Sequence, residues 1–232
     1  MLGIIGAMDI EIEGIRSLMT EKREKVISGI SFVSGKLEAC EVVTAVCGIG
    51  KVFAAICAQS MILEFNPDAV INTGVAGGLS PELKIGDIAV ANNVVQHDMD
   101  PSALGDPKGL IPGLDIIYID ADQKLTDMLA ECVSSEGMRL LRGTIATGDQ
   151  FVATSEKKNS IIKDFSAIAT EMEGAAIGQV CYVNKKPFAV LRAISDSANE
   201  NSVEDYPAFA ESTAEKYISV VRRFAEMYGK DS

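Results

Sequence analysis

The chain has 232 residues, 47% hydrophobic and 23% charged, a balance that excludes a disordered segment or a coiled coil. A formal net charge of −12 creates a negative far field that argues against nucleic acid and anionic lipid as partners. Five cysteines, Cys40, Cys47, Cys57, Cys132 and Cys181, form no C-x-x-C pair, and no apolar run reaches the roughly 18 residues that a bilayer span needs. With no signal-peptide pattern at the start, the expectation is a soluble protein of a reducing cytoplasm.

In chain order, Leu2 to Ala7 is short and apolar, the pattern of a buried strand that delivers its end to a crevice. A helix is expected from Asp9, with Ile12, Ile15, Leu18 and Met19 on one stripe and Glu11 in the first turn. Phe32 to Leu37 and Val42 to Val46 read as strands, and Lys51 to Phe65 as a largely buried helix with Ala54, Ala55 and Ala58 for close packing. Ala69 to Thr73 is a strand running into Gly74–Gly78, and Asp87 to Val95 a β-branched strand after Gly86.

Residues 99 to 115, broken by Pro101, Gly105, Pro107, Gly109, Pro112 and Gly113, read as an irregular excursion. A helix over Gln123 to Glu136 and a strand over Gly143 to Thr147 lead to Gly148–Val152, followed by a short helix. Strand Ala167 to Thr170 is expected to run directly into helix Glu171 to Val183, and strand Phe188 to Ile194 to end at Ser195-Asp196. An amphipathic helix from about Tyr206 to Tyr228 carries Phe209, Thr213, Tyr217, Val220, Val221 and Phe224 on one stripe. Alternating strands and helices without a repeat or linker predict one α/β domain over residues 1–232, built on a largely parallel or mixed sheet.

Ligands of open α/β sheets lie beyond the strand ends. Five such ends carry carboxylates, or glycines that admit a ligand to the backbone: Met8–Glu11, Gly74–Gly78, Gly148–Val152, Glu171–Glu173 and Arg192–Asp196. Spacing alone leaves alternatives open. Glu11 and Glu173 read equally as surface residues drawn to a helix N-terminus, Asp196 as a cap, and Gly77-Gly78 as a turn. Gly48-Ile49-Gly50-Lys51 fails the phosphate-loop pattern because Ala45 and Val52 stand where Gly and Ser or Thr are needed. His97, the single histidine, lies beside Asp98 and Asp100 but makes a poor metal centre, and with no G-x-S-x-G a serine-hydrolase triad lacks support. No metal and no cofactor is expected.

Six segments in this order and spacing resemble the 5′-methylthioadenosine/S-adenosylhomocysteine nucleosidase family within the nucleoside phosphorylase superfamily. They are Gly3–Met8, Gly48–Lys51, Asn72–Gly78, Gly148–Val152, Glu171–Ala175 and Arg192–Asp196. The resemblance implies a three-layer α/β/α fold with a mixed central sheet, and a homodimer whose partner lends apolar residues to the 5′-substituent pocket. Pro101, Leu104 and Pro112 would supply that segment. It implies Asp196 as the acid at adenine N7, Glu11 as the base that orients water, Glu173 on the ribose hydroxyls and Met172 against the sugar. Arg192 and Ser195 would support them, Phe151 would stack near adenine, and backbone groups of Phe151 and Val152 would read its edge. Ile49 and Tyr206 would line the alkylthio side, with Val75, Ala76, Gly77 and Glu171 completing the substrate-binding walls.

The implied reaction is hydrolysis of the N-glycosidic bond of methylthioadenosine and S-adenosylhomocysteine, serving methionine salvage and recycling of the methyl cycle. Two alternatives accompany it: a nucleosidase for aminodeoxyfutalosine in menaquinone synthesis, and a phosphate-dependent purine nucleoside phosphorylase. Residues 1 to 15 and 66 to 80 contain no Arg or Lys, and a carboxylate at Glu11 repels phosphate while it activates water, so hydrolysis is favoured. Val75 stands where some relatives carry a serine that can contact the acid. A nucleoside-binding protein without catalysis is the other class of reading, and the retention of Glu11, Glu173 and Asp196 together argues against it.

Overall fold

The computed structural model describes residues 1–231, and the side chains of residues 1–202 and 217–230. Ten strands form one mixed sheet: β1 (Leu2–Gly6), β2 (Thr20–Ile27), β3 (Ile30–Leu37), β4 (Cys40–Val46), β5 (Ala69–Gly78), β6 (Ile88–Gln96), β7 (Tyr118–Asp120), β8 (Leu140–Thr147), β9 (Ala169–Glu171) and β10 (Phe188–Asp196). Six helices accompany them: α1 (Asp9–Leu18), α2 (Lys51–Phe65), α3 (Gln123–Ser135), α4 (Ser155–Phe165), α5 (Gly174–Val183) and α6 (Ser202–Asp231).

Alternation along the central strands assigns the two faces. Leu2 and Ile4 of β1, and Ala189, Leu191 and Ala193 of β10, pack toward α1, α3 and α6. Ile5, with Phe188, Val190 and Ile194, packs toward α2 and α5. The result is the expected three-layer α/β/α arrangement, with a hydrophobic core on each side of the sheet. Among the described residues, no helix is long and apolar enough to cross a membrane.

The sheet contains two parallel sets of opposite direction. β4, β1, β5 and β10 run one way, and β6, β8 and β9 the other. The sets join twice, where β10 pairs antiparallel with β6 and where Gly77 and Gly78 of β5 pair antiparallel with Thr170 and Ala169 of β9. Because β10 also pairs with β5, strands β5, β9, β8, β6 and β10 close into a ring. The carboxyl ends of both sets therefore overlap at the β5–β9 pairing, which brings strand ends that are distant in sequence around one crevice.

Several elements depart from the sequence expectation. β2 is additional: its residues, TEKREKVI, are almost all exposed, and only its antiparallel pairing with β3 makes it a strand. β7 is a three-residue addition on β6. β5 continues through the glycines to Gly78 because pairing with neighbours outweighs glycine's low strand preference, and β10 continues through Ser195 to Asp196, which pairs with Gly77. α5 starts at Gly174 rather than Glu171; the Glu171 carboxylate accepts hydrogen bonds from the backbone N–H groups of Glu173 (3.0 Å) and Gly174 (2.7 Å), so it caps the helix instead of lying within it. Leu18 is exposed, off the buried stripe of α1. α2 is only half buried, since Val52, Phe53, Ile56 and Leu63 stand exposed opposite the buried Ala54, Cys57, Ala58 and Met61.

Candidate active site

Beyond the overlapping strand ends lies a cavity of about 240 Å³. One wall holds Glu11, which reaches it from the first turn of α1, with Met8 at the end of β1. A second holds Val75, Ala76 and Gly77 of β5. Phe151 and Val152 follow β8, and Glu171, Met172 and Glu173 follow β9. Ser195 and Asp196 end β10, and Ile49 stands at the exposed rim. Gln150, Thr170 and Ala7 also line the cavity; Gln150 and Ala7 fall within segments that the sequence singled out, without an individual role, and Thr170 ends the expected strand before Glu171.

Each carboxylate has its own set of partners. Glu11 accepts three backbone N–H groups, from Ala7 (2.7 Å), Met8 (3.0 Å) and Val75 (3.1 Å). Burial pushes its carboxyl up from the ordinary range, while the charge of Arg192 and the three donors pull the other way. Gly74 makes this arrangement possible: a Cβ there would stand 2.6 Å from Glu11 Oε1 and 3.2 Å from Arg192 Nη1.

Behind the cavity floor Arg192 is fully buried, donating from Nη2 to Asn72 and to Glu171. Glu171 also accepts from the Thr147 hydroxyl and from the α5 backbone, so its oxygens are occupied by the protein. Burial works against ionisation of Glu171, yet Arg192 and Thr147 outweigh it and hold the carboxyl below its usual range. For Arg192 burial is likewise opposed, by Glu171, Glu173 and Glu11, which keep the guanidinium above the usual arginine range.

Glu173 is different. One oxygen accepts the Gly50 N–H at 2.9 Å, and the other lies 3.9 Å from Arg192 Nη2, outside hydrogen-bond reach. Burial and the neighbouring charge of Glu171 push its pKa up to about 7. Asp196 accepts from the Ser195 hydroxyl (2.8 Å) and the Ala198 N–H (2.8 Å). Val75 offers no hydroxyl at this site, and the Asp196 contacts come instead from its own strand end.

Of the remaining candidates, Arg192 supports the cavity from behind without lining it, and the Tyr206 side chain lies outside the described residues. Pro101, Leu104 and Pro112 do not line the cavity of their own chain; Pro101 is buried, whereas Leu104 and Pro112 are exposed. His97 is buried behind Gly148, where an added Cβ would stand 2.4 Å from Nε2. Among the described residues no cluster of three or more His, Cys, Asp or Glu side chains could hold a metal ion.

Comparison with known proteins places this geometry in context. The phosphorylase superfamily matches residues 1–226. A 5′-methylthioadenosine/S-adenosylhomocysteine nucleosidase from Bacillus velezensis is 39% identical over 228 residues, covering 96% of this chain and 98% of that protein. The crystal structure of such a nucleosidase from Neisseria meningitidis, in complex with methylthio-immucillin-A, superposes with a TM-score of 0.93 at 36% identity, covering 97% of this chain and 98% of that one. A futalosine hydrolase from Helicobacter pylori superposes with a TM-score of 0.93 at 37% identity, covering 97% of each chain.

Proposed function

The chain belongs to the phosphorylase superfamily, and from that premise we propose that it hydrolyses the N-glycosidic bond of 5′-methylthioadenosine and S-adenosylhomocysteine, releasing adenine and the thioribose product. The observation that carries this reading is one cavity lined by four carboxylates with no Lys or Arg among its described lining residues; the protein occupies Glu171, which leaves Glu11, Glu173 and Asp196 facing a ligand. Three carboxylates suit a reaction that builds positive charge on a sugar, whereas a phosphate nucleophile needs cationic or N–H donors. The backbone N–H groups nearest Glu11 are already donated to its carboxylate.

Adenine leaves poorly as an anion. Asp196, the acid in this reading, delivers a proton to N7 so that the base departs neutral, a contribution of roughly 10²–10⁴-fold. As the bond stretches the ribose becomes oxocarbenium-like, and ionised Glu11 orients water toward the anomeric carbon. Burial holds the Glu11 carboxyl above its ordinary range, and Arg192 and the three N–H donors oppose it in favour of the anionic form that a base requires. The oxygen of Glu173 left without a hydrogen bond is available to the ribose hydroxyls, and the ionised form of the carboxyl favours the cationic sugar. Glu171 serves this reading indirectly, by fixing Arg192 and the start of α5.

The same reading takes the 232 residues as one nucleosidase domain acting as a cytoplasmic homodimer. Support for the homodimer is the exposed apolar face of α2 (Val52, Phe53, Ile56 and Leu63), together with the exposed apolar rim residues Ile49 and Phe151. Leu104, 84% exposed, and Pro112 have the apolar character needed to close the rim of a second copy. A Phe53→Glu substitution converts a dimer to monomers in sedimentation if that face is the interface.

The decisive experiment is adenine release from methylthioadenosine in phosphate-free buffer. Turnover without phosphate is expected; a strict phosphate requirement with a ribose 1-phosphate product overturns the hydrolytic reading. The likeness to a futalosine hydrolase gives the aminodeoxyfutalosine alternative a specific footing. Comparing kcat/KM for methylthioadenosine, S-adenosylhomocysteine and aminodeoxyfutalosine decides between them.

A further inference from the structure

Lys158 lies on α4, outside the cavity lining and outside the sequence segments that carry the family resemblance. Its Nζ donates to the carbonyl oxygen of Gly78 at 2.9 Å and to that of Ser197 at 2.7 Å. Gly78 ends β5, one residue beyond the cavity-lining Gly77, and Ser197 immediately follows Asp196. One side chain thus bolts together the two strand ends that frame the candidate acid. The side chain is partly buried, and burial lowers the pKa of its ammonium while the charge of Asp196 raises it. Asp196 itself receives two hydrogen bonds, both from its own segment, and a Cβ at Gly77 would stand 3.0 Å from Asp196 Oδ1. Little space separates the acid from β5, so the position of the β5 end bounds one side of the carboxyl.

We infer that Lys158 is a positioning residue for leaving-group protonation, holding the β5 and β10 ends in register around Asp196 and supplying positive charge as that carboxyl gives up its proton. The inference rests on the nucleosidase reading and on Asp196 as its acid. The proton moves from Asp196 to the purine, the Asp196 carboxylate that remains is anionic, and the nearby ammonium stabilises it. Lys158 itself exchanges no proton. Glu200, on the segment after Ser197, accepts from the backbone and hydroxyl of Ser155; Glu11 accepts from three backbone N–H groups, and Glu173 accepts from Gly50 and keeps one oxygen open.

The test is a double-mutant cycle on the full chain, read as adenine release from methylthioadenosine under single-turnover and steady-state conditions. Lys158→Met is expected to lower kcat about 10-fold, a fraction of what an acid contributes, with KM changed less than about 2-fold. Lys158→Arg, which keeps the charge and N–H donors, is expected to restore most of the rate. In an Asp196→Asn background, where no proton is delivered, Lys158→Met is expected to cost less than about 2-fold further. Unchanged kcat in Lys158→Met overturns the inference, and so does an equal loss in both backgrounds, which marks damage independent of the acid. If Lys158→Met does not fold, Lys158→Gln enters the same cycle under the same criteria. Failure of the unsubstituted protein to release adenine refutes the nucleosidase reading itself and is distinguishable from either result.

Discussion

Glu171 and Glu173 are two residues apart on one turn, yet the structure uses them in opposite ways. Glu171 lines the cavity but has its oxygens occupied by Arg192, Thr147 and the α5 backbone. Glu173 faces the cavity with one oxygen bonded to Gly50 and the other beyond hydrogen-bond reach of Arg192. The difference extends to the two layers they belong to: a floor in which both oxygens of Glu171 and both Nη groups of Arg192 are engaged, and above it carboxylates with capacity to spare. A buried charge with every partner in place is held for structure; one left partly unpaired at a cavity is available for a ligand.

The sharpest separation of the two layers comes from the largest expected effect. Asp196→Asn, above the floor, should reduce adenine release roughly 10²–10⁴-fold and leave the melting temperature nearly unchanged. Glu171→Ala, within the floor, should do the reverse first: it strands Arg192 without its nearest counter-charge and should cost about 3–5 kcal/mol of stability, measured by urea denaturation. If Glu171→Ala loses activity but no stability, the division between layers is wrong.

Gly74 sits where the layers touch. Gly74→Ala drives a methyl group into Glu11 and Arg192, and a displaced base should cost about 10²-fold in kcat with a smaller loss of stability. Wild-type kcat in this variant would show that Glu11 does not need its present position.

The pH dependence of stability compares the two glutamates directly. The Glu173 carboxyl is raised from 4.5 to about 7, so between those values the unfolded chain has released a proton that the native chain still holds. Stability attributable to Glu173 therefore falls as pH rises through that window. Glu171, held below its ordinary value, contributes stability that is present above about pH 4.5 and lost as pH falls. Glu173→Gln should accordingly raise the melting temperature more at pH 8 than at pH 5, and an equal shift at both would contradict the assignment. The smallest effect belongs at the periphery: Lys25→Ala removes an exposed ion pair with Glu64 and should cost under about 1 kcal/mol in the same urea titration.

Much of the fold was legible because burial imposes periodicity. β1, β5 and β10 are buried almost throughout, so their apolar runs stand out, and α1 declares its inner face through Ile12 and Ile15. β2 was not legible because its residues bury almost nothing and owe their conformation to pairing. α2 misled for the opposite reason. It is apolar nearly all round, and the sequence does not distinguish a helix buried in its own chain from one whose outer face, Val52, Phe53 and Ile56, is left for another surface.

The site divides along the same line. From the sequence alone came the carboxylates Glu11, Glu173 and Asp196 at strand ends, because an apolar strand followed by an acid is a local pattern; their chemical roles came from the resemblance of whole segments in order. Which of the acids are spoken for was decided only by tertiary structure, since the partners of Glu171 are Thr147 and Arg192, distant in the chain, and those of Glu11 include Val75. Lys158 carries no local signal at all, being one lysine of a polar helix until the ring of strands brings Gly78 and Ser197 to its amine. Local sequence fixes what a side chain is able to do; the free energy of its charged or neutral form depends on groups that only the closed sheet brings within a few ångströms.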